Sequence, residues 1–189
     1  TLLVVSTTKE LIAAGILSPF RVFATGHPDL TGVKITAGDY NEKQLAVVMN
    51  QENLVGDVVT HWIRHAEGRK TLVYAVDVAH SIGLRDEFSR ASISAGHIDG
   101  TTPAEERDAI LGQLKRGSID VLCNCQVLTE GFDAPDVGCI VLARPTKSFS
   151  LYRQIVGRGL RPAPGKENCI VLDHSGATLD HGFVDEPIE

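Results

Sequence analysis

Residues 151 to 162, LYRQIVGRGLRP, hold three arginines and two glycines. On a helix, positions i, i+4 and i+7 share one face. Gln154, Arg158 and Arg161 have this spacing. Leu151, Ile155 and Val156 fall elsewhere and can face a core. Gly157 stands beside the polar row, where a missing side chain lets another group approach. Two guanidiniums repel unless an anion lies between or before them, and their planar forks suit phosphate oxygens. The chemistry implied is an arginine pair aimed at a phosphate. On composition alone, a solvated helix face beside surface carboxylates is the stronger reading.

A second stretch bears on that choice. VLTEGFDAP, residues 127 to 135, follows an apolar strand-like run directly. Thr129 at a strand end, then Gly131, Asp133 and Pro135, make a tight loop with free amides and one carboxylate. Such a loop suits a sugar hydroxyl or a phosphate. Other signals are weaker. GRGLRP lacks the third glycine of a dinucleotide fingerprint and does not open a helix after a strand. His61 and His65 lie four apart, but Trp62 stands where a metalloprotease needs Glu. Asp173, His174 and Ser175 are consecutive, whereas triad members converge from separate loops. His174 fits better as a group lining a crevice at a strand end. Tyr152 and Phe149 have the spacing of core residues.

These residues need elements to hold them. From Lys70 onward, strands and helices alternate. KTLVYAVDV reads as a buried strand, followed by a helix over 78–91 with apolar Val78, Ile82, Leu84 and Phe88. SISAGHI is a second strand. Residues 101–117 read as a helix capped by Thr102, with Pro103 first, Glu105 completing a capping box, and Gly117 as its stop. Its expected apolar face is Ala109, Ile110 and Leu114. IDVLCNC and VGCIVLARP are further strands. Ser148 opens a helix to Arg161, and NCIVLDH closes the series. Before Lys70, SPFRVFAT reads as a strand, residues 26–40 as a loop, and 41–50 and 53–66 as two helices. The alternation predicts an α/β fold with a mainly parallel sheet. Ligands of such sheets bind at the carboxyl ends of the strands. The expected division is 1–69 as a segment packing on a core of 70–176, with 177–189 as a tail.

The chain has 189 residues, 43% hydrophobic and 22% charged, with net charge −6. That is the composition of a globular domain. No apolar run is long enough to span a membrane. The acidic balance provides no general nucleic-acid footprint, so any such contact must be local. Cys123, Cys125, Cys139 and Cys169 form no C-x-x-C pair, which makes zinc unexpected. They read as small buried hydrophobes in a reducing cytoplasm. The first residue, Thr1, starts inside an apolar run, and the expectation is a piece of a longer protein.

TEGFDAP, followed after about twenty residues by QIVGRGLRP, resembles motifs V and VI of superfamily 2 helicases. YAVDVAHS resembles motif IV, and HIDGTTPAEER the segment after it. The early LSPFRVFATGHPDLTGVKITAGDYN and the late CIVLDHSG resemble RadD-type bacterial and phage DNA repair helicases, akin to restriction-enzyme motor subunits. The resemblance implies a RecA-like second motor lobe of the P-loop NTPase type. Arg158 and Arg161 would be arginine fingers on ATP held with Mg2+ by a first lobe. Gly131, Asp133, Gln154 and Gly157 would face the nucleotide. Ala75, Val76, Gly100, Thr102 and Thr129 would hold the backbone of one nucleic-acid strand, DNA being expected. No metal site is expected here. Neither a G-x-x-x-x-G-K-[ST] loop nor a D-E-x-[DH] pair is present in the sequence. The chain alone is therefore expected to be inactive and monomeric, with the first lobe as its partner. The rival is a degenerate module that only docks nucleic acid or protein; a pure binder has no use for two fingers.

Overall fold

The computed structural model describes residues 6–128 and 134–186. Its elements run α1 (Thr8–Ala13), β1 (Phe20–Ala24), β2 (Ile35–Thr36), β3 (Asp39–Tyr40), α2 (Glu42–Met49), α3 (Glu52–His65), β4 (Thr71–Tyr74), α4 (Val78–Arg90), β5 (Ala95–Ile98), α5 (Ala104–Arg116), β6 (Val121–Asn124), β7 (Cys139–Leu142), α6 (Phe149–Gly159), β8 (Cys169–Asp173) and α7 (Ala177–His181). Six strands form one parallel sheet in the order β1-β8-β7-β4-β6-β5. The fold is thus α/β and RecA-like. The strand β1, from the first 69 residues, pairs along its whole length with β8.

The apolar runs are continuous because both sheet faces are covered. On β4, Leu72 and Tyr74 join the core beneath α5 and α6, with Leu114, Ile155 and Val156. Val73 and Ala75 point the other way, into a core with Trp62 of α3 and Phe88 of α4. A third cluster sets Leu45 and Met49 of α2 against Val76. The four cysteines are buried free thiols.

Local chemistry explains most helix starts. Ser148 accepts from the Leu151 amide and opens α6; Asp77 accepts from the His80 amide and opens α4. Three expectations need correction. Thr102 does not cap α5: Pro103 occupies that position without a side-chain bond, and the Thr102 hydroxyl accepts from the Asp99 amide instead. The inner face of α5 is Ile110, Leu111 and Leu114, while Ala109 is exposed. On α4, His80 and Ser81 are buried whereas Val78 and Ile82 are exposed. The expected loop 26–40 also contains a small hairpin, β2–β3, turning through Ala37 and Gly38 at positive φ. Its Asp39 carboxylate accepts from the Thr146 hydroxyl and the Lys147 amide, both at 2.7 Å, and so ties the hairpin to the start of α6.

Gly159 brings α6 down onto the sheet. A Cβ there would lie 2.4 Å from Cys169 Sγ and 2.6 Å from Ile140 Cγ1. Both neighbours are fully buried, so neither has open space to move into. Gly159→Ala is expected to destabilise the chain by about 1–3 kcal/mol, the usual cost of overpacking. Urea denaturation followed by circular dichroism measures it, and an unchanged midpoint would contradict the close approach.

Candidate functional site

The strand order reverses around β4, which lies between β7 and β6. A crevice at the carboxyl ends of such strands is the expected ligand position. A cavity of about 360 Å³ lies there, lined by Tyr74, Ala75, Gln126, Arg144, Leu151 and Ile155. Arg144 Nε is buried in it with no hydrogen-bond partner among the described residues.

Tyr74 organises this end of the sheet. Its hydroxyl is buried and donates to the Leu128 carbonyl at 3.2 Å. Burial pushes the phenol pKa up, while the guanidiniums of Arg158 and Arg161 pull it down. Asn124 braces the same turn: its Nδ2 donates to the Val73 carbonyl, and its Oδ1 accepts from the Leu128 amide. Leu128 is the last described residue before TEGFDAP. Thr129, Gly131 and Asp133 lie outside the described residues. The loop resumes at Ala134, and the carbonyl of Pro135 accepts from Lys166 Nζ at 3.0 Å.

On α6, Gln154 is exposed, while Gly157 and Arg158 are half-buried. Tyr152, Ile155 and Val156 are buried beneath them. The helix ends at Gly159 with Leu160 as its C-cap, so Arg161 lies just past the helix and not on its last turn. A Cβ on Gly157 would meet nothing within 4 Å. Its lack of a side chain is thus not required by packing within this lobe, in contrast to Gly159.

The remaining residues singled out from sequence occupy the β4 and β5 ends. Ala75 and Val76 are fully buried. Their amides are used internally, by the Asn124 carbonyl and by His80 Nδ1. They shape the floor of the crevice and present no side chain to solvent. Gly100 is exposed and Thr102 half-buried, in the turn after β5. That turn is tightly bonded: the Asp99 carboxylate accepts from the amide and hydroxyl of Thr101 at 2.6 and 2.7 Å. These bonds hold its pKa down to about 2. Arg107 donates to the carbonyls of Asp99 and Thr102.

The DHS stretch is no triad. Ser175 Oγ donates to Asp173 at 2.7 Å, and the second Asp173 oxygen accepts from the Thr178 amide, which anchors α7. His174 instead stacks on His61, with ring centroids 5.0 Å apart. It lines a cavity of about 120 Å³ with His27, Asp57 and His80.

Residues 52–163 match the family model for the helicase conserved C-terminal domain. The chain belongs to that family. Among relatives of this helicase domain, a "51.5 kDa protein" of a Lactococcus phage (isolate 7-9) is 34% identical over 179 residues, covering 95% of this chain and 39% of the phage protein. The Saccharomyces cerevisiae (strain ATCC 204508 / S288c) protein named "Putative ATP-dependent helicase IRC3" is 38% identical over 154 residues, covering 79% of this chain and 22% of its own length. The chain thus spans about two-fifths or less of these relatives. "The fragment structure of a putative HsdR subunit of a type I restriction enzyme from Vibrio vulnificus YJ016" superposes with a TM-score of 0.71 at 23% identity, over 93% of this chain and 36% of that one, and shares the fold. The superfamily 2 resemblance read from TEGFDAP and QIVGRGLRP is therefore correct. Tyr74, Asn124, Arg144 and Lys166 were not singled out from sequence. Only Lys166, a cation just after a helix C-terminus, carries a local signal.

Burial pushes the His80 pKa down to about 4, and burial beside His61 does the same to His174. Both are neutral when folded, whereas the unfolded chain protonates them near pH 6.5. The unfolded state then binds more protons, so stability falls as pH drops from about 6.5 to 4. The loss approaches roughly 3 kcal/mol for each residue. Asp99 adds to acid lability only below about pH 4. Urea midpoints between pH 7 and 4.5 should show this slope, and His174→Phe should remove about half of it; a flat profile would refute the assignment.

Proposed function

We propose that this helicase C-terminal domain works as the second motor lobe of an ATP-dependent DNA helicase or translocase. Arg158 and Arg161 act as arginine fingers on the γ-phosphate of ATP held by a first lobe, and Gln154, Gly157, Gly131 and Asp133 face the same nucleotide. The observation that supports the reading is geometric: the carbonyls of Arg161 and Pro135 both accept from Lys166 Nζ, at 2.7 and 3.0 Å. The segment resembling motif VI is thus bonded to one described shoulder of the TEGFDAP loop, which favours a shared site. The donor set fits the phosphates of ATP. Bound Mg2+ would neutralise charge on those phosphates, and its carboxylate ligands are assigned to the first lobe. DNA is favoured over RNA by the resemblance of residues 17–41 and 169–176 to RadD-type DNA repair helicases. Residues 70–176 serve as the lobe core, 1–69 pack on it, and the workplace is the cytoplasm. Gly100, Thr102 and Thr129 hold one strand by its backbone. The rival, a non-enzymatic docking module, gives no role to the paired arginines.

A two-by-two test separates the two faces of the lobe. In the full-length protein, Arg161→Ala should lower ATP turnover by about a thousandfold, as loss of an arginine finger does. Strand affinity without nucleotide should stay unchanged. Thr102→Val should do the reverse. It removes a hydroxyl worth roughly 1 kcal/mol to a strand phosphate, so affinity falls several-fold while basal ATPase remains. Because the same hydroxyl accepts from the Asp99 amide, Thr102→Ser serves as the control that keeps both bonds. Arg161→Ala with intact turnover and weakened strand binding would overturn the nucleotide assignment.

Gly157 gives an independent check. Among the described residues, no packing neighbour lies within 4 Å of a Cβ added at Gly157. Gly157→Ala should stabilise the isolated chain by about 0.5–1 kcal/mol through helix propensity. In the full-length protein it should lower ATP turnover, because the added methyl faces the nucleotide interface. Gains in stability with undiminished turnover would remove Gly157 from the site.

A further inference from the structure

The end of α6 raises an accounting question. The last turn of a helix leaves carbonyls without intrahelical donors, and each needs a partner. Here the partners come from far along the chain. The Leu160 carbonyl accepts from the Ser18 amide at 2.7 Å. The Arg161 carbonyl accepts from Ser18 Oγ at 3.3 Å. The other donor is Lys166, delivered by a turn in which Gly165 takes φ +77°. Its ammonium donates to the carbonyls of Gly159 at 2.7 Å, Arg161 at 2.7 Å and Pro135 at 3.0 Å. An ammonium has three protons, and all three are spent on backbone oxygens.

The three carbonyls belong to two different segments. Gly159 ends the helix that carries Arg158, and Arg161 follows just past its C-cap. Pro135 follows residues 129–133, the loop that contains Asp133. The opposite shoulder of that loop, Leu128, is held by Tyr74. One cation therefore joins the arginine segment to the loop. Its position past the helix C-terminus also suits the negative end of the helix dipole. A lysine fits this place better than an arginine: its compact head can sit where three oxygens converge, whereas a planar fork cannot.

We propose that Lys166 is a positioning residue for ATP turnover, holding the Arg161 backbone and the Pro135 shoulder to one point so that finger and loop keep a fixed separation. This rests on the reading of Arg161 as an arginine finger. Lys166 itself touches no substrate. Its loss lets the Arg161 backbone drift, and misplacement of about 1 Å can cost on the order of a hundredfold in rate.

The test is a double-mutant cycle in the full-length protein, with DNA-stimulated ATPase as the readout. Lys166→Met should lower kcat by about 10- to 100-fold, with the KM for ATP and the half-saturating DNA concentration within about threefold. In the Arg161→Ala background the same substitution should cost less than about threefold, because its effect passes through Arg161. Equal losses in both backgrounds would show a general structural role and overturn the proposal. So would undiminished turnover in Lys166→Met beside a collapse in Arg161→Ala. If Arg161→Ala itself leaves turnover intact, the finger reading fails first, and the positioning proposal falls with it. Should Lys166→Met not fold, Lys166→Arg decides. A fall in kcat confined to the Arg161-containing background supports the proposal; a fall of equal size in both overturns it.

Discussion

The absence of any side chain at Gly159 sets the distance between α6 and the sheet. Cys169 and Ile140 occupy the space a Cβ would need. With the helix pressed onto β7 and β8, its neighbours have no freedom. Tyr152, Ile155 and Val156 fill the layer beneath, and Gln154 and Arg158 are turned outward. Arg158 and Gln154 are thus positioned by a contact elsewhere on the same helix. Close packing transmits such a constraint because protein interiors have few voids to absorb it.

The crevice is built from backbone more than from side chains. Ala75 and Val76 at the end of β4 spend their amides on Asn124 and His80. Asp99 spends its carboxylate on Thr101, and Thr102 spends its acceptor on the Asp99 amide. These bonds rigidify the short turns after β4 and β5. They hold the exposed Gly100 and the half-buried Thr102 at a fixed spacing. That is the requirement for holding a sugar–phosphate backbone regardless of sequence.

Much of the fold was legible in the sequence, for a physical reason. Strands buried on both faces read as unbroken apolar runs, and KTLVYAVDV, IDVLCNC, VGCIVLARP and NCIVLDH all became sheet strands. Ser148 capped α6 as its position suggested. Failures occurred where a side chain had two local options. Thr102 could cap a helix or bond the Asp99 amide, and the tight turn after β5 favoured the second. On α4, buried His80 and Ser81 replaced the expected Val78 and Ile82, because His80 accepts from the Val76 amide and Ser81 bonds His97. Gln154 and Arg158 were singled out by helical spacing and Gly157 by its place beside them. Tyr74 and Lys166 were not: their bonds to Leu128 and Pro135 span 54 and 31 residues. Contacts at that separation leave no periodic trace.

The net charge of −6 looks unsuited to the proposed contacts with ATP and a nucleic-acid strand. The arrangement at the α6 terminus removes the difficulty. Lysine at position 166 is consumed internally, by the carbonyls of Gly159 and Arg161 at the end of α6 and that of Pro135, and adds little to the outward field. Arg158, in the last turn of α6, and Arg161, just past it, lie at the same helix end. A positive charge there is stabilised by the dipole before any ligand arrives. Local geometry therefore supplies what the overall charge does not. A weakly attractive surface has a further consequence for a motor. Affinity that comes from a few aligned donors can be switched by moving them a short distance, whereas affinity from a broad basic surface cannot. The proposed gripping and release of a strand is better served by the first design, and the acidic composition is consistent with it.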